Sequence, residues 1–268
     1  MSSLEKFFTE LGKKKVYFFD LDGTIYLGNQ LFRDAIELIE ILNKKEISFF
    51  FLSNNSSKST SDYIKKLHHL NLNVTRDNLI LSQHPTIDYL KSKNYEKIFL
   101  LGTESLKREF HQEGFTLTDS NPDIIVLAFD QELTYERLAN ASYILQQETP
   151  YIATHLDDRC PTEKGYIPDA GGIAALLFKA TEKMPRVFGK PNKEMLLFKL
   201  KELEIKPKDA IIFGDRLYTD IKMGINSGVT TCCVLSGETT LEMIEKSEKN
   251  KPDYVIDGIW DILELLKK

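Results

Sequence analysis

A short apolar run that leads into two closely spaced carboxylates constrains this sequence most. Residues 16–19 are consecutive β-branched or aromatic side chains, which is typical of a strand buried on both faces. Asp20 and Asp22 follow at once, and strand alternation would send both to the same side. A buried strand has no structural use for paired acids at its end, because a buried charge must be paired or bound to a metal. An ordinary Asp-Gly turn at Gly23 is the alternative, which the second acid and the apolar run weaken.

The composition is that of an ordinary globular protein. The 268 residues suffice for one large domain or two, and 42% of them are hydrophobic. A net charge of −5 without a compensating basic block argues against a nucleic-acid polymer as partner. The first 15 residues carry Glu5, Lys6 and Glu10 and so lack the uncharged core of a signal peptide, and the apolar runs are too short for a bilayer. Together with three cysteines that suit a reducing compartment, these features predict a cytoplasmic protein without a membrane partner.

Strand and helix patterns alternate along the chain. A strand–helix–strand–helix succession occupies 16–70, at the spacing of a right-handed parallel crossover unit. From about residue 82 the pattern restarts as a second, self-contained α/β set with a long turn-rich loop at 156–172, and afterwards the first pattern resumes. We therefore predict an α/β fold with a Rossmann-like three-layer core on a parallel sheet, formed by 1–82 and 185–268, and an inserted α/β cap domain at 83–184.

Three predicted strands end in polar side chains. The first strand runs into Asp20 and Asp22, the second into Ser53, and a later one into Asp215 and Asp220. In open parallel sheets, ligands bind beyond the carboxyl ends of the strands. These side chains are therefore expected to converge.

This set of groups meets the needs of a phosphoryl-transfer site. Asp20 and Asp215 offer hard oxygen ligands that suit Mg²⁺. A carboxylate can act as a nucleophile through an aspartyl-phosphate, and a second acid can protonate the leaving oxygen and later activate water. A hydroxyl, backbone amides and a cation such as Lys190 would offset charge on the phosphoryl oxygens. Each residue alone is explained by a turn, a helix cap or a solvated surface, but all of them in this order are poorly explained by coincidence.

With these residues in place, the sequence resembles the haloacid dehalogenase (HAD) superfamily of phosphatases, whose four motifs are all present. The resemblance implies that Asp20 is the nucleophile and Asp22 the acid/base. The phosphate-binding residues that it implies are Ser53, Asn54, Asn55 and Lys190. The magnesium-binding residues that it implies are Asp20, Asp22 and Asp215, with Gly23 and Asp220 in support.

Three segments resemble the NagD-like, p-nitrophenylphosphatase branch in particular, and they are residues 52–56, 189–191 and 214–220. That branch carries a large α/β cap between its second and third motifs, where the second α/β set falls here. The presence of Asp22 argues against dehalogenase chemistry, because the dehalogenase branch lacks this acid. Related sequences often carry asparagine where this chain has His155. The possible specificity residues in the cap are His155, Arg159 and Cys160, at a loop whose tip is predicted to be polar and titratable; an exposed loop with solvated charges is the alternative.

The sequence therefore predicts a Mg²⁺-dependent phosphatase that hydrolyses a small phosphorylated metabolite through an aspartyl-phosphate. Nucleotides, sugar phosphates, phosphoglycolate and pyridoxal phosphate stay open as substrates, because the core motifs contact only the phosphoryl group they share. A catalytically silent regulator or binding module on the same fold is the alternative from a different class. Loss of Asp20, Asp22 or Lys190 would favour that alternative, and all three are present. Whether the chain forms a homo-oligomer stays open.

Overall fold

The computed structural model describes residues 3–162 and 164–267. Its strands are, in chain order, β1 (Val16–Asp20), β2 (Tyr26–Leu27), β3 (Gln30–Leu31), β4 (Ser48–Ser53), β5 (Leu79–Leu81), β6 (Lys97–Leu101), β7 (Thr116–Leu117), β8 (Ile124–Leu127), β9 (Tyr151–Ala153), β10 (Arg159–Thr162), β11 (Gly165–Pro168), β12 (Arg186–Val187), β13 (Ala210–Gly214), β14 (Thr230–Val234) and β15 (Tyr254–Ile256).

Helices separate most of these strands. They are α1 (Ser3–Leu11), α2 (Ala35–Lys44), α3 (Thr60–His69), α4 (Gln83–Ser92), α5 (Glu104–Gln112), α6 (Tyr135–Leu145), α7 (Ala170–Thr181), α8 (Glu194–Glu202), α9 (Lys222–Ser227), α10 (Leu241–Lys246) and α11 (Ile259–Lys267). A π-helical turn, Leu217–Ile221, directly precedes α9. In the part of the chain that the structure describes, no helix is both long enough and apolar enough to cross a bilayer. The predicted α/β class is confirmed.

The larger sheet places β1 between β13 and β4, in the strand order β15-β14-β13-β1-β4-β5. The pairings of β1 with β4 and β13, and of β14 with β13 and β15, are parallel. Every residue of β1 and β13 is buried, as expected for central strands covered on both faces. On one face, the rings of Phe19 and Phe213 stack at a centroid distance of 4.9 Å. The continuous apolar run of residues 16–19 therefore lies in the middle of a parallel sheet.

Strand register brings polar residues to one edge of this sheet. Asp20 pairs with Leu52 of β4, so Ser53 is the next residue along the neighbouring strand. On the other side, Phe19 pairs with Phe213 of β13, so the residues that follow β13 leave the sheet beside Asp20. The carboxyl ends of β13, β1 and β4 are therefore level with one another, as is usual where a parallel sheet binds a ligand.

A second sheet has five parallel strands in the order β12-β9-β8-β6-β7. Helices cover both of its faces. Leu101 and Leu127 belong to a buried cluster with residues of α6 and α7, while Ile98 and Val126 belong to another with residues of α4 and α5. Because each face is covered, the central strands β8 and β9 are buried along their whole length. The second α/β set predicted from the sequence is thus a complete three-layer assembly.

The described residues form two compact units. The first contains residues 3–53, 67–80 and 190–267, and the second contains 54–66, 81–162 and 164–189. The sequence prediction placed its domain boundaries at 82/83 and 184/185 and left 54–66 in the first domain. The identification of these units as a catalytic core and a specificity cap stays a prediction.

The prediction of a long irregular loop at 156–172 is wrong. This stretch contains the antiparallel hairpin of β10 and β11, in which Arg159 pairs with Pro168, and α7 already begins at Ala170. The hairpin is mostly exposed and contains Pro161 and Pro168, residues that usually interrupt strands but are tolerated in strands with a free edge. Asp169 is the N-cap of α7, since its Oδ1 accepts a hydrogen bond from the Ala170 N–H at 2.6 Å.

The buried cluster of the second sheet leads to a stability prediction. Leu127 has no exposed surface, whereas Leu176 on α7 in the same unit is 57% exposed. L127A is expected to lower the free energy of unfolding by about 2–5 kcal/mol, because it removes apolar contacts and leaves a cavity. L176A should change it by less than about 0.5 kcal/mol. Urea unfolding followed by circular dichroism measures both, and equal effects would contradict the packing described here.

Candidate active site

Three carboxylates meet where β1 and β13 end. Asp20 is the last residue of β1, Asp215 directly follows β13, and Asp220 lies in the π-helical turn Leu217–Ile221. Each contributes an oxygen, and these three oxygens lie within 4.8 Å of one another. All three residues are buried. The structure thus brings together three residues that the sequence placed after two different strands.

Lys190 is the cation inside this group. Its Nζ contacts Asp20 Oδ1 and donates a hydrogen bond to Asp220 Oδ1 at 2.7 Å. The lysine is only 5% exposed. Burial alone would lower the pKa of Lys190, but the two carboxylates outweigh it, so that the pKa of Lys190 is raised and the ammonium stays charged.

Three carboxylates face two cations here, because the charge of Arg216, like that of Lys190, also acts on Asp215. Burial raises the pKa of Asp20 well above its usual range, and the charge of Asp220 raises it further, against the opposing effect of Lys190. Burial also raises the pKa of Asp215 to about 6, with Asp220 adding to the effect. A group with this excess of buried negative charge favours the binding of a further cation.

The oxygen donors fit a hard divalent cation. Asp215 Oδ1 is buried and has no hydrogen-bond partner among the described residues. The turn after half-buried Asp22 passes close by, since Gly23 has φ +88° and a Cβ there would overlap the Asp215 carboxylate. Mg²⁺ prefers such oxygen ligands and needs few of them, because it retains several waters. The residues present therefore suit Mg²⁺.

Sequence reasoning missed the segment 236–239, which follows β14. The Glu238 N–H donates to Asp215 Oδ2 at 2.7 Å, and the Thr239 N–H donates to the Asp215 backbone oxygen at 3.1 Å. Ser236 Oγ donates to the Gly23 carbonyl oxygen at 2.7 Å. The available signal was its position, because β14 is a further parallel strand whose carboxyl end lies at this edge of the sheet.

The predicted phosphate-binding residues after β4 differ in their surroundings. Ser53 is buried as the last residue of β4. Asn54 Nδ2 donates to both carboxylate oxygens of Asp157, at 3.1 and 3.2 Å. Asn55 Oδ1 accepts from the N–H and the hydroxyl of Ser57, at 3.0 and 2.7 Å, which closes a local Asx-type turn. Their contribution to phosphate binding stays a prediction.

The three residues predicted to set specificity are not equally accessible. His155 has no exposed surface, so the alternative of a solvated side chain is wrong for this residue, and its role in specificity stays a prediction. Its Nδ1 accepts from the Asp157 N–H at 3.3 Å, and its Nε2 lies 3.6 Å from Asp169 Oδ1. Arg159 is exposed and Cys160 is partly exposed. Direct contact with a ligand is therefore easier to reconcile with Arg159 than with His155.

Comparisons with known proteins agree with this geometry. A sequence model described as haloacid dehalogenase-like hydrolase matches residues 17–116, and one described as HAD-hydrolase-like matches 187–262. The chain is 31% identical to an acid sugar phosphatase of Staphylococcus haemolyticus, over 90% of this chain and 92% of that protein. It is 28% identical to the 5′-nucleotidase YutF of Bacillus subtilis, over 91% and 96%.

Solved structures show the same relationship. The 4-nitrophenylphosphatase of Thermotoga maritima superposes with a TM-score of 0.90 at 38% identity, covering 95% of this chain and 98% of that one. The residues of the buried carboxylate–lysine group belong to the four motifs. The matches to known proteins cover the same parts of the chain. The chain therefore belongs to the haloacid dehalogenase-like hydrolases, as a phosphatase of the NagD-like, p-nitrophenylphosphatase branch that its motifs predict.

Proposed function

We propose that the chain is a Mg²⁺-dependent phosphomonoesterase that hydrolyses small phosphorylated metabolites through an aspartyl-phosphate on Asp20. One observation carries this proposal. Asp20 is held at the end of a central strand, against Lys190 and within reach of two further carboxylates, in a buried group. Such an arrangement orients a carboxylate and partly desolvates it, which favours its use as a nucleophile.

In the first step, a carboxylate oxygen of Asp20 attacks phosphorus and the bond from phosphorus to the ester oxygen breaks. Asp22 gives its proton to the departing oxygen, so that an alcohol leaves and not an alkoxide. Lys190 stays charged throughout and offsets negative charge on the phosphoryl oxygens. The hydroxyl of Ser53 and the backbone N–H of Asn54 are the further donors that we assign to these oxygens.

In the second step, the Asp22 carboxylate takes a proton from a water molecule. The water oxygen attacks phosphorus, and the bond between phosphorus and the Asp20 oxygen breaks. Inorganic phosphate leaves, the Asp20 carboxylate is restored, and Asp22 is again protonated for the next ester. Asp22 thus serves as acid and then as base, which requires its side chain to stay free of the cation.

The cation would be held by the side chains of Asp20 and Asp215 and by the backbone carbonyl of Asp22. When bound, Mg²⁺ neutralises charge on the phosphoryl group and on these carboxylates. Asp220 does not need to bind it, because its Oδ1 accepts from Lys190 and its Oδ2 accepts from the Thr219 hydroxyl at 3.1 Å. Asp220 therefore supports the lysine.

For the substrate, we propose a small phosphorylated metabolite, with sugar phosphates and nucleotides as the first two classes. The names of the relatives support both, one being an acid sugar phosphatase and another a 5′-nucleotidase. A panel of phosphate esters, assayed with and without Mg²⁺, tests the proposal. Release of inorganic phosphate that needs Mg²⁺ supports it, whereas no turnover of any ester would favour the silent binding module.

The role of Asp20 leads to the first site prediction. D20N should abolish phosphate release, because an amide is a poor nucleophile and a poor ligand for Mg²⁺. The matched control is D257N, which makes the same change at an exposed aspartate of the same unit and should keep wild-type activity. Steady-state assays with p-nitrophenyl phosphate measure both, and a D20N protein with near-normal turnover would refute covalent catalysis by this residue.

The role of Asp22 predicts a dependence on the leaving group. D22N should slow the hydrolysis of alkyl phosphates by about 10²–10⁴-fold, the usual contribution of a general acid. The loss should be much smaller for p-nitrophenyl phosphate, since nitrophenolate leaves without a proton. Turnover numbers for the two esters compare the effects within one variant. Equal losses on both would count against proton transfer by Asp22.

The exposed Arg159 leads to a prediction about specificity. If this residue contacts the leaving group, R159A should reorder the ranking of natural esters by about 1–3 kcal/mol in kcat/KM. Hydrolysis of p-nitrophenyl phosphate should stay within about twofold. R108A is the matched control, because the Arg108 side chain is 65% exposed in the same unit and lies outside the hairpin. A uniform fall of all rates in R159A would show that the hairpin is only structural.

A further inference from the structure

We propose that the loop of residues 236–239 between β14 and α10 sets the affinity for Mg²⁺ of the cation site at Asp20 and Asp215. It does so by holding Asp215 in one orientation and by tying the turn at Gly23 to it. This proposal rests on the proposed function, in which Asp215 is a cation ligand. Ser236 acts through Gly23 and Gly237 through Asp215, so both are positioning residues.

The two carboxylate oxygens of Asp215 are in different situations. Oδ2 accepts the Glu238 N–H at 2.7 Å, while Oδ1 is buried without a hydrogen-bond partner among the described residues. The Asp215 backbone oxygen accepts the Thr239 N–H at 3.1 Å. The loop therefore holds Asp215 at its side chain and at its backbone, while Oδ1 accepts no hydrogen bond from the described residues and is available to a cation. A ligand that is already oriented loses less conformational freedom when the cation binds.

Gly237 allows this close approach. A Cβ at this position would overlap the Asp215 carboxylate, as would a Cβ at Gly23 on the other side. The carboxylate of Asp215 is thus enclosed between two glycine-containing backbone segments. Ser236 links these segments, because its hydroxyl donates to the Gly23 carbonyl oxygen at 2.7 Å. The Ser236 side chain therefore fixes the position of the backbone next to Asp22 relative to the carboxylate of Asp215.

The loop is also anchored from outside. The Glu238 carboxylate forms an ion pair with Arg216, with Nε and Oε2 3.0 Å apart, and accepts the Tyr218 hydroxyl at 3.1 Å. The same residue thus uses its backbone N–H for Asp215 and its side chain for two residues that follow Asp215 in the chain. This cross-link ties the loop to the π-helical turn.

The test is the binding of MgCl₂ to the full-length protein without substrate, measured by titration calorimetry. S236A removes the hydroxyl that holds Gly23 and is expected to weaken Mg²⁺ binding about five- to tenfold, the effect of one lost hydrogen bond. S236T keeps a hydroxyl and should stay within about twofold of the wild type. G237A should weaken binding at least tenfold, since its Cβ displaces the Asp215 carboxylate. The thermal midpoint of each variant without cation checks that it folds.

T240A is the matched control. The Thr240 hydroxyl accepts the Met243 N–H at 3.3 Å and caps α10 directly after the loop, without contact to Asp215 or Gly23. Its Mg²⁺ affinity should equal that of the wild type even if its thermal midpoint falls. D215N tests the proposed function separately, because it should abolish binding. Wild-type affinity in S236A and G237A, with binding lost in D215N, would overturn the role of the loop alone. A wild-type protein that does not bind Mg²⁺, or an unaffected D215N, would overturn the proposed function and this inference together.

Discussion

The enclosure of three carboxylates around one lysine is the constraint on which the rest of this structure depends. Buried charges are costly unless they are paired, and Lys190 pairs with Asp20 and Asp220. Burial raises the pKa of Asp20 and of Asp215, the charge of Asp220 adds to both effects, and a bound cation would offset the clustered negative charge. Carboxylates with perturbed pKa values are expected where binding and catalysis are needed.

The sheet supplies the rigidity that this enclosure requires. Parallel pairing of β1 with β4 and β13 fixes the height at which Asp20 leaves the sheet relative to its neighbours. Stacked rings such as Phe19 and Phe213 fill the layer directly below, so the strand ends cannot relax apart without opening a cavity. The packing of the apolar run 16–19 thus fixes the position of the acids that follow it.

The carboxylate–lysine centre could be predicted from the sequence because it is formed by charged side chains. The contacts that backbone atoms make to it could not. Asp20 and Lys190 stand out as charges beside apolar or turn-forming residues. The 236–239 loop does not stand out, because Asp215 is held there by N–H groups that any residue except proline supplies. The β10–β11 hairpin was missed because its prolines resemble loop residues. The burial of His155 depends on packing between segments far apart in the chain, which local pattern does not record.

The proposed function depends on covalent phosphorylation of Asp20 during turnover. The most direct measurement is to quench the protein during steady-state hydrolysis, reduce acyl phosphates with borohydride, and map the product by peptide mass spectrometry. The account predicts that homoserine replaces aspartate at Asp20, only when substrate is present, and at no other acid. Reduction at Asp22 or Asp215 instead, or full activity with no reducible intermediate at Asp20, would contradict it.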